Sequence, residues 1–194
     1  INKKEISNIN KKFKVGNIIY FKGIKQGIEN TNYLLKSKKS KFILTIFEKR
    51  VSKKEIPFFM KLMDQLNTYK INCPKPIKNK NGDYLIKIKN KTACIVSFLN
   101  GKDKKSLSPK NCYEIGKMIA QMHLSTSKIK LYRKNSMGVK NLNPLLNSIK
   151  FKSKKFTNLE KFLKNNFQDI KKKWPEKLPK GIIHGDLFID NIFF

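Results

Sequence analysis

An aspartate and an asparagine that could act together lie near the end of the sequence, in His184-Gly185-Asp186-Leu187-Phe188-Ile189-Asp190-Asn191. The carboxylate of an aspartate can accept or orient the proton of a substrate hydroxyl, and the carbonyl oxygen of an asparagine can bind Mg²⁺. Because the two residues are one short turn apart, both groups can face the same phosphoryl group. The pattern His-x-Asp-Leu-x-x-x-Asn therefore predicts phosphoryl transfer, with Asp186 handling the proton and Asn191 binding the metal.

The same residues also permit a purely structural interpretation, in which Gly185-Asp186 is a loop turn and Asn191 is a capping residue. The full run of eight residues in register, behind the apolar segment Gly181–Ile183, favours the chemical interpretation. We expect that segment to be a short buried strand. We expect His184 to pack beneath the loop and steady it by hydrogen bonds, and Asp190 to face solvent or brace the loop.

Three apolar runs before the loop predict successive antiparallel strands, because they are rich in β-branched or aromatic residues and are separated by Gly- and Lys-rich turns. A short helix over 5–13 precedes them. A helix of about 12 residues follows them, with Ser52 marking its start and apolar residues at helical spacing as far as Leu66. The three runs are Ile18–Phe21, Asn32–Leu35 and Phe42–Phe47.

Two further strands follow that helix. Asn81–Asp83 predicts a hairpin turn joining Ile77 and its neighbours to Tyr84–Ile88, and Ala93–Leu99 predicts a buried strand. Three strands, a helix and two strands are the order of the small lobe of protein kinases. We therefore assign a first lobe to residues 1–98, and its resemblance to the small lobe of kinases implies that it binds ATP.

The remainder of the chain predicts mainly helices. Ser108-Pro109 is an N-cap followed by proline, and an apolar stripe continues from there to His123. We expect a loop over 126–143 and a second helix over 157–174. Residues 99–194 therefore form a partial, mainly helical second lobe that carries the catalytic loop, and the fold class is α+β. Since the sequence starts with Ile1 and ends at Phe194 within a pattern, we expect both ends to be truncated.

The formal net charge of +31 suggests nucleic-acid binding as a competing function. Arg50 and Arg133 are the only arginines among 44 basic residues, however, and base readout favours arginine. The lysines are spread over every segment, alongside abundant Ile and Asn. We interpret them as solvated surface residues of a biased composition, with no specific nucleic-acid partner.

The cysteines and the hydropathy of the chain bear on its compartment. Cys73, Cys94 and Cys112 are widely spaced and contain no Cys-x-x-Cys pair, so a disulfide framework or a zinc site is not expected. A reducing cytoplasm fits this pattern. The first residues, 1–14, are polar and lack the apolar core of a signal peptide, and no stretch approaches the roughly 18 apolar residues that a membrane helix needs.

Five segments together resemble the homoserine kinases of the aminoglycoside-phosphotransferase-like superfamily. The terminal loop is typical of the whole superfamily, whereas the strand with Thr45 and the turn at Asn135–Gly138 point to homoserine kinases within it. The five segments are Phe21–Tyr33, Phe42–Arg50, Ile95–Gly101, Arg133–Gly138 and Ile182–Phe194.

This resemblance implies a two-lobed, protein-kinase-like fold, ATP and Mg²⁺ as cofactors, and a small-molecule acceptor, with homoserine expected. The segment from Gly23 to Asn32 would cover the ATP phosphates. It includes Gly27, which would either permit close backbone approach or form an ordinary hairpin turn, and Asn30 as a second contact. Adenine would meet the backbone between Val96 and Phe98.

The resemblance further implies that Asp186 is the catalytic base and Asn191 a magnesium ligand. Thr45 occupies the position where related kinases carry a phosphate-binding Lys or Arg, and Phe59 occupies the position of the Glu that partners it. Lys49 and Asp64 are candidate substitutes for this pair. The aspartate that binds metal on the strand after the loop has no counterpart in this chain. The alternatives are a sister kinase acting on choline, a sugar or an aminoglycoside, or a lysine-rich nucleic-acid-binding protein. The oligomeric state is left open.

Overall fold

The computed structural model describes residues 1–25, 30–48, 52–149 and 157–194, which fall into two compact units. One unit comprises Ile1–Leu131 and Gly181–Phe194, and the other comprises Tyr132–Lys180. Across the described ranges the elements are α1 (Lys3–Lys12), β1 (Ile18–Ile24), β2 (Asn30–Ser37), β3 (Lys41–Phe47), α2 (Ile56–Thr68), β4 (Leu85–Ile88), β5 (Lys91–Ser97), α3 (Pro109–Thr126), α4 (Val139–Ser148) and α5 (Thr157–Lys173). The α+β class is confirmed, and the lobe boundary between residues 98 and 99 stays a prediction.

The five strands form one antiparallel sheet in the order β1-β2-β3-β5-β4. Side chains alternate between its two faces, so residues paired across the ladder share a face. On one face Leu35, Leu44 and Ile95, all with no exposed surface, pack against Ile9 of α1 and against Phe13, which follows the helix. A capping box in which Asn2 and Glu5 bind each other's backbone N–H starts this helix.

The opposite face of the sheet packs against α2. Cys94 and Val96 of β5 contact Ile56 and Met60 of the helix, and all four are buried. The helix begins after Glu55, with Ser52 lying one turn earlier, so the prediction that Ser52 starts the helix is wrong. The two faces give the strand-rich part of the chain a closed core on both sides.

The hairpin predicted at Asn81–Asp83 is a turn, but it does not join two neighbouring strands. The N–H of Ile77 donates to the carbonyl of Ile95 at 2.9 Å, so this segment runs beside β5 and not β4. The strands β4 and β5 are joined instead at Lys89-Asn90, whose φ values are 46° and 63°. Two successive residues with positive φ form the tight turn that suits a two-residue hairpin.

The helices of the second half match the sequence in part. Ser108 Oγ accepts a hydrogen bond from Asn111 N–H, which confirms the predicted N-cap of α3. The helix predicted over 157–174 is confirmed as α5. The loop expected over 126–143 is too long, because α4 starts at Val139 and accommodates Pro144 in its interior. Among the described residues, no helix is both long and apolar enough to span a membrane.

The buried strand predicted at Gly181–Ile183 is wrong. Ile183 is 68% exposed, and no strand among the described residues pairs with the segment. Among the described residues, a hydrogen bond of 3.5 Å reaches this segment from Thr126 Oγ1, at the end of α3, to the carbonyl of Ile182. A short apolar run becomes a strand only where another strand satisfies its backbone, and here none does.

Candidate active site

The catalytic-loop segment begins with a glycine turn and ends in a single turn of 3₁₀ helix. Gly185 has a φ of 78°, which glycine adopts without the strain of a side chain. The 3₁₀ turn covers Ile189–Asn191, and its Asn191 N–H donates to the carbonyl of Phe188 at 3.0 Å. Ile192, just after the loop, is buried, with 9% of its surface exposed. The loop is therefore fixed at both ends while its polar side chains stay exposed.

Asp186 and Asn191 are brought together by this turn. Asn191 Nδ2 donates to the Asp186 carbonyl at 2.8 Å and to Asp186 Oδ2 at 3.2 Å. Both side chains are exposed. The second carboxylate oxygen of Asp186, Oδ1, and the amide oxygen of Asn191, Oδ1, take part in no hydrogen bond among the described residues. Each residue therefore offers one oxygen to a partner outside the loop.

The donor set fits a magnesium ion shared with phosphates. Mg²⁺ prefers oxygen ligands and is commonly held by one or two protein groups together with substrate phosphates. Asp186 and Asn191 supply oxygens only, and no group of three or more His, Cys, Asp or Glu side chains among the described residues could hold a metal by itself. The site therefore suits a metal that arrives with a nucleotide better than a permanently bound ion.

His184 has a different position from the one expected. Its Nδ1 accepts a long hydrogen bond, 3.4 Å, from the backbone N–H of Asp186, which agrees with a steadying role. Its side chain is exposed, so the expected packing beneath the loop is wrong. Asp190 is also exposed, as expected for a solvent-facing residue.

The residues predicted to meet adenine lie at the end of β5. Val96 is a core residue whose side chain packs on α2. Phe98 follows the strand, its N–H donates to the Lys41 carbonyl at 3.3 Å, and its ring lies 5.4 Å from Lys41 Nζ. Both backbones are therefore held in the sheet next to β3, and their contact with adenine stays a prediction.

The residues predicted to contact the phosphates lie around the start of β2. Asn30 Oδ1 accepts from the backbone N–H of Glu48 at 3.4 Å, so its side chain ties β2 to the end of β3. Gly27 lies outside the described residues. No hydrogen bond within the described ranges joins Asn30 to Asp186, so the structure brings together Asp186 and Asn191 but not all of the predicted site.

Thr45 forms a neutral polar pair at the position where the family resemblance leads us to expect a Lys or Arg. Its Oγ1 donates to Asn32 Oδ1 on the neighbouring strand at 2.9 Å. Asp64, one candidate substitute, accepts a 2.5 Å hydrogen bond from Tyr84 and lies 3.7 Å from Lys78 Nζ. Lys49, the other candidate, lies outside the described residues. At position 45, β3 therefore contributes a hydroxyl group without a positive charge.

The sequence does not predict the contact between the connector after β5 and the residues that follow the catalytic loop. Lys102 N–H donates to the Phe194 carbonyl and Phe194 N–H donates to the Lys102 carbonyl, both at 3.0 Å. The sequence carried one signal for it, the turn-forming pair Asn100-Gly101. That signal predicts a bend but not what the bend contacts.

Comparison with known families shows a match over most of the chain. The family model described as “Phosphotransferase enzyme family” matches residues 21–194, which includes the sheet from the middle of β1 onward and the whole catalytic loop.

Named relatives and a solved structure extend this comparison. A homoserine kinase of Parvibaculum lavamentivorans is 38% identical over 183 residues, covering 94% of this chain and 57% of the relative. A homoserine kinase of Paramagnetospirillum magneticum is 37% identical over 191 residues, covering 98% of this chain and 59% of the relative. The crystal structure of spectinomycin phosphotransferase with ADP and spectinomycin covers 100% of this chain and 65% of that one, with a TM-score of 0.66 and 13% identity. The chain thus spans less than two thirds of the length of these relatives.

Proposed function

Since the chain belongs to the phosphotransferase enzyme family, we propose that it supplies the nucleotide-binding sheet and the catalytic loop of a homoserine kinase. The reaction transfers the γ-phosphoryl group of ATP to the hydroxyl of L-homoserine and gives O-phospho-L-homoserine, an intermediate of threonine synthesis. Two relatives named homoserine kinase, at 38% and 37% identity, support this choice of acceptor.

The observation that carries the proposal is the Asp186–Asn191 pair. The asparagine amide nitrogen binds Asp186, which leaves Asp186 Oδ1 and Asn191 Oδ1 to act on other groups. A carboxylate oxygen that can accept a proton, beside a neutral oxygen that can bind metal, is the combination that phosphoryl transfer to an alcohol requires.

In this proposal Asp186 Oδ1 accepts a hydrogen bond from the homoserine hydroxyl. As the hydroxyl oxygen bonds to the γ-phosphorus, the bond from that phosphorus to the β,γ-bridging oxygen breaks and ADP leaves. The hydroxyl proton passes to the Asp186 carboxylate. Most of the catalytic effect comes from positioning and from charge neutralisation, since phosphoryl transfer needs little covalent help from the protein.

Asn191 Oδ1 is the proposed protein ligand for magnesium. When bound, Mg²⁺ neutralises the negative charge that the phosphate oxygens carry during transfer. The hydrogen bonds from Asn191 Nδ2 to Asp186 fix the orientation of the amide, so that its oxygen faces away from the carboxylate.

The nucleotide side of the proposal involves the sheet. We assign the adenine contact to the backbone between Val96 and Phe98, and the phosphate contacts to Gly27 and Asn30. With Thr45 hydrogen-bonded to Asn32, β3 offers no cation at that position, so neutralising the phosphate charge there would depend more on a magnesium ion held by Asn191. We also expect a cytoplasmic enzyme, because all three cysteines are free.

A panel of acceptors tests this proposal. The purified protein is incubated with Mg²⁺ and γ-labelled ATP and with L-homoserine, L-serine, choline or spectinomycin, and the labelled products are identified by mass spectrometry. We expect turnover on L-homoserine to exceed that on each other acceptor by at least about 100-fold, as expected of a site that hydrogen-bonds its substrate's polar groups. Preferred transfer to choline or spectinomycin would instead identify a sister kinase.

A further inference from the structure

The connector after β5 is fastened directly to the end of the catalytic loop. Lys102 and Phe194 exchange two backbone hydrogen bonds of 3.0 Å, the pattern of a paired antiparallel bridge. Lys104 Nζ lies 4.6 Å from the centre of the Phe194 ring, over its face. We refer to residues 101–104 and 193–194 together as the connector clamp. All of them belong to the same compact unit.

Gly101 lies at the tightest point of the connector clamp. A Cβ added there would lie 2.9 Å from Phe193 Cβ and 3.2 Å from the Phe194 carbonyl oxygen. Neither obstacle can rotate away, because one is a Cβ fixed to the backbone and the other is a backbone oxygen. The φ of 152° is also a positive value that residues with a side chain rarely adopt. Any other residue would have to push the segment 193–194 outward.

Other glycines of the described chain have more room. A Cβ at Gly82, which has a φ of 90°, would meet nothing within 4 Å, and the same holds at Gly116 and Gly185. Gly82 therefore needs glycine for its backbone angle alone, whereas Gly101 needs it for the close approach as well. This difference provides a matched control.

The close approach bears on catalysis because Phe193 follows Asn191 by only two residues. We propose that Gly101 is a positioning residue: by letting the connector lie against Phe193 and Phe194, it sets the place of the Asn191 oxygen that binds the metal. This inference rests on the proposed function for the role of the metal. The clamp also links the segment assigned to adenine, which ends at Phe98, to the catalytic loop that carries Asp186 and Asn191.

Gly101→Ala tests this role, with Gly82→Ala as its control. Both variants place a Cβ at a positive φ, so both should lose some thermal stability. Gly101→Ala alone should lower turnover by roughly 10- to 100-fold and raise the Mg²⁺ concentration for half-maximal rate about tenfold, since a misplacement of about 1 Å has effects of this size. KM for ATP should change by less than about threefold, because the adenine contacts do not move. Equal kinetics for the two variants would overturn the proposal.

Rescue separates the close approach from general damage. Adding Phe193→Gly to Gly101→Ala removes the atom at 2.9 Å and should return part of the lost turnover and Mg²⁺ affinity. No recovery in a folded double variant would count against the proposal.

If Gly101→Ala does not fold, Lys104→Gln is the deciding variant, because it leaves the glycine intact and removes the cation over Phe194. We then expect a Mg²⁺ requirement raised about twofold, as for a weak cation–π contact, and an unchanged requirement would overturn the proposal.

The test stays separate from the choice of acceptor. Wild-type transfer is measured first, and if another alcohol is the better acceptor, the same Mg²⁺ titrations are run with it. If the wild type transfers to none, Mn²⁺-dependent binding of a fluorescent ATP analogue replaces turnover. In that case Gly101→Ala should weaken the Mn²⁺ dependence relative to Gly82→Ala, and identical Mn²⁺ curves would overturn the role of Gly101 independently of the function.

Discussion

The sheet and the catalytic loop of this protein are held by different kinds of contact. Of the nineteen buried hydrophobic residues in the described chain, seventeen lie before residue 97, on the two faces of the sheet and on the helices that cover them. The loop from His184 to Asn191 contributes none of them, and Ile192 just beyond it is its one buried apolar anchor. The loop depends on hydrogen bonds, a glycine turn and the connector clamp.

This difference implies that the residues that stabilise the fold are not the residues that carry the proposed chemistry. Burial of apolar surface is the main favourable term in folding, so the sheet carries most of the free energy of unfolding of its unit. The loop can then keep Asp186 and Asn191 exposed, as a site that must bind solvent-borne substrates requires. Substitutions in the sheet should change stability first, and substitutions in the loop should change turnover first.

Leu44→Ala should give the largest loss of unfolding free energy among substitutions in the sheet. Leu44 has no exposed surface and lies at the centre of the face covered by α1. Its truncation should lower the free energy of unfolding by about 2–5 kcal/mol, measured by urea denaturation. Ile19→Ala is the control, since Ile19 is 61% exposed and should change stability by less than about 0.5 kcal/mol. Similar losses for both variants would contradict a closed core.

The three cysteines report on the same comparison without substitution. Burial raises the pKa of the Cys94 thiol to about 12 and that of Cys73 to about 11, whereas Cys112 is exposed on α3. Since the thiolate is the reactive form, mass spectrometry should show a thiol reagent modifying Cys112 first, Cys73 later and Cys94 only as the sheet opens. In urea the three rates should converge. Labelling of native Cys94 as fast as Cys112 would show that the α2 face is open.

Tyr84→Phe tests the link between α2 and the segment before β4. Tyr84 donates a 2.5 Å hydrogen bond to Asp64, and Lys78 lies near both. Loss of a partly exposed hydrogen bond should cost about 1 kcal/mol of unfolding free energy with no effect on turnover. Tyr69→Phe is the control, because the Tyr69 hydroxyl has no hydrogen-bond partner within the described ranges. A large fall in turnover for Tyr84→Phe would connect this link to the site.

Glu48→Gln should have the smallest effect, and it depends on pH. The Lys91 ammonium and the Thr31 hydroxyl hold the pKa of Glu48 below its usual range. A lowered pKa in the folded state adds stability above the ordinary glutamate pKa, and this stability is lost as the pH falls through the folded value. The melting temperature of the variant should therefore be slightly below wild type at pH 7, and the two should converge in strong acid. A constant difference at all pH values would contradict the ion pair.

The parts of the fold that followed from the sequence are those set by local pattern. Alternating or continuous apolar residues located β1, β2, β3 and β5, and helical spacing located α2 and α5. Ser108-Pro109 fixed the start of α3. In each case the side chains that decide the element are its own, so no knowledge of the partner is needed.

The parts that did not follow depend on contacts distant in sequence. The sequence around Ile77 could not show that this residue lies beside β5, because the Ile95 carbonyl to which it donates is eighteen residues away. Gly181–Ile183 has the apolar pattern of a strand, yet it pairs with no strand in the described part of the chain. The Lys89-Asn90 turn carries no glycine and so lacks the usual hairpin signal. Within the site, spacing predicted that Asp186 and Asn191 would meet, but it could not show that Gly101 presses against the end of their loop.

The central claim, that Asp186 carries the chemistry on a loop independent of the sheet's stability, is tested most directly by comparing Asp186→Asn with Asp190→Asn. Both variants remove one exposed carboxylate from the same loop at nearly constant shape. We predict that Asp186→Asn lowers turnover with ATP and L-homoserine by at least about 100-fold, the typical contribution of general base catalysis. Nucleotide binding and the melting temperature should stay near wild type, and Asp190→Asn should keep near-normal turnover. Near-normal turnover of Asp186→Asn would contradict the claim.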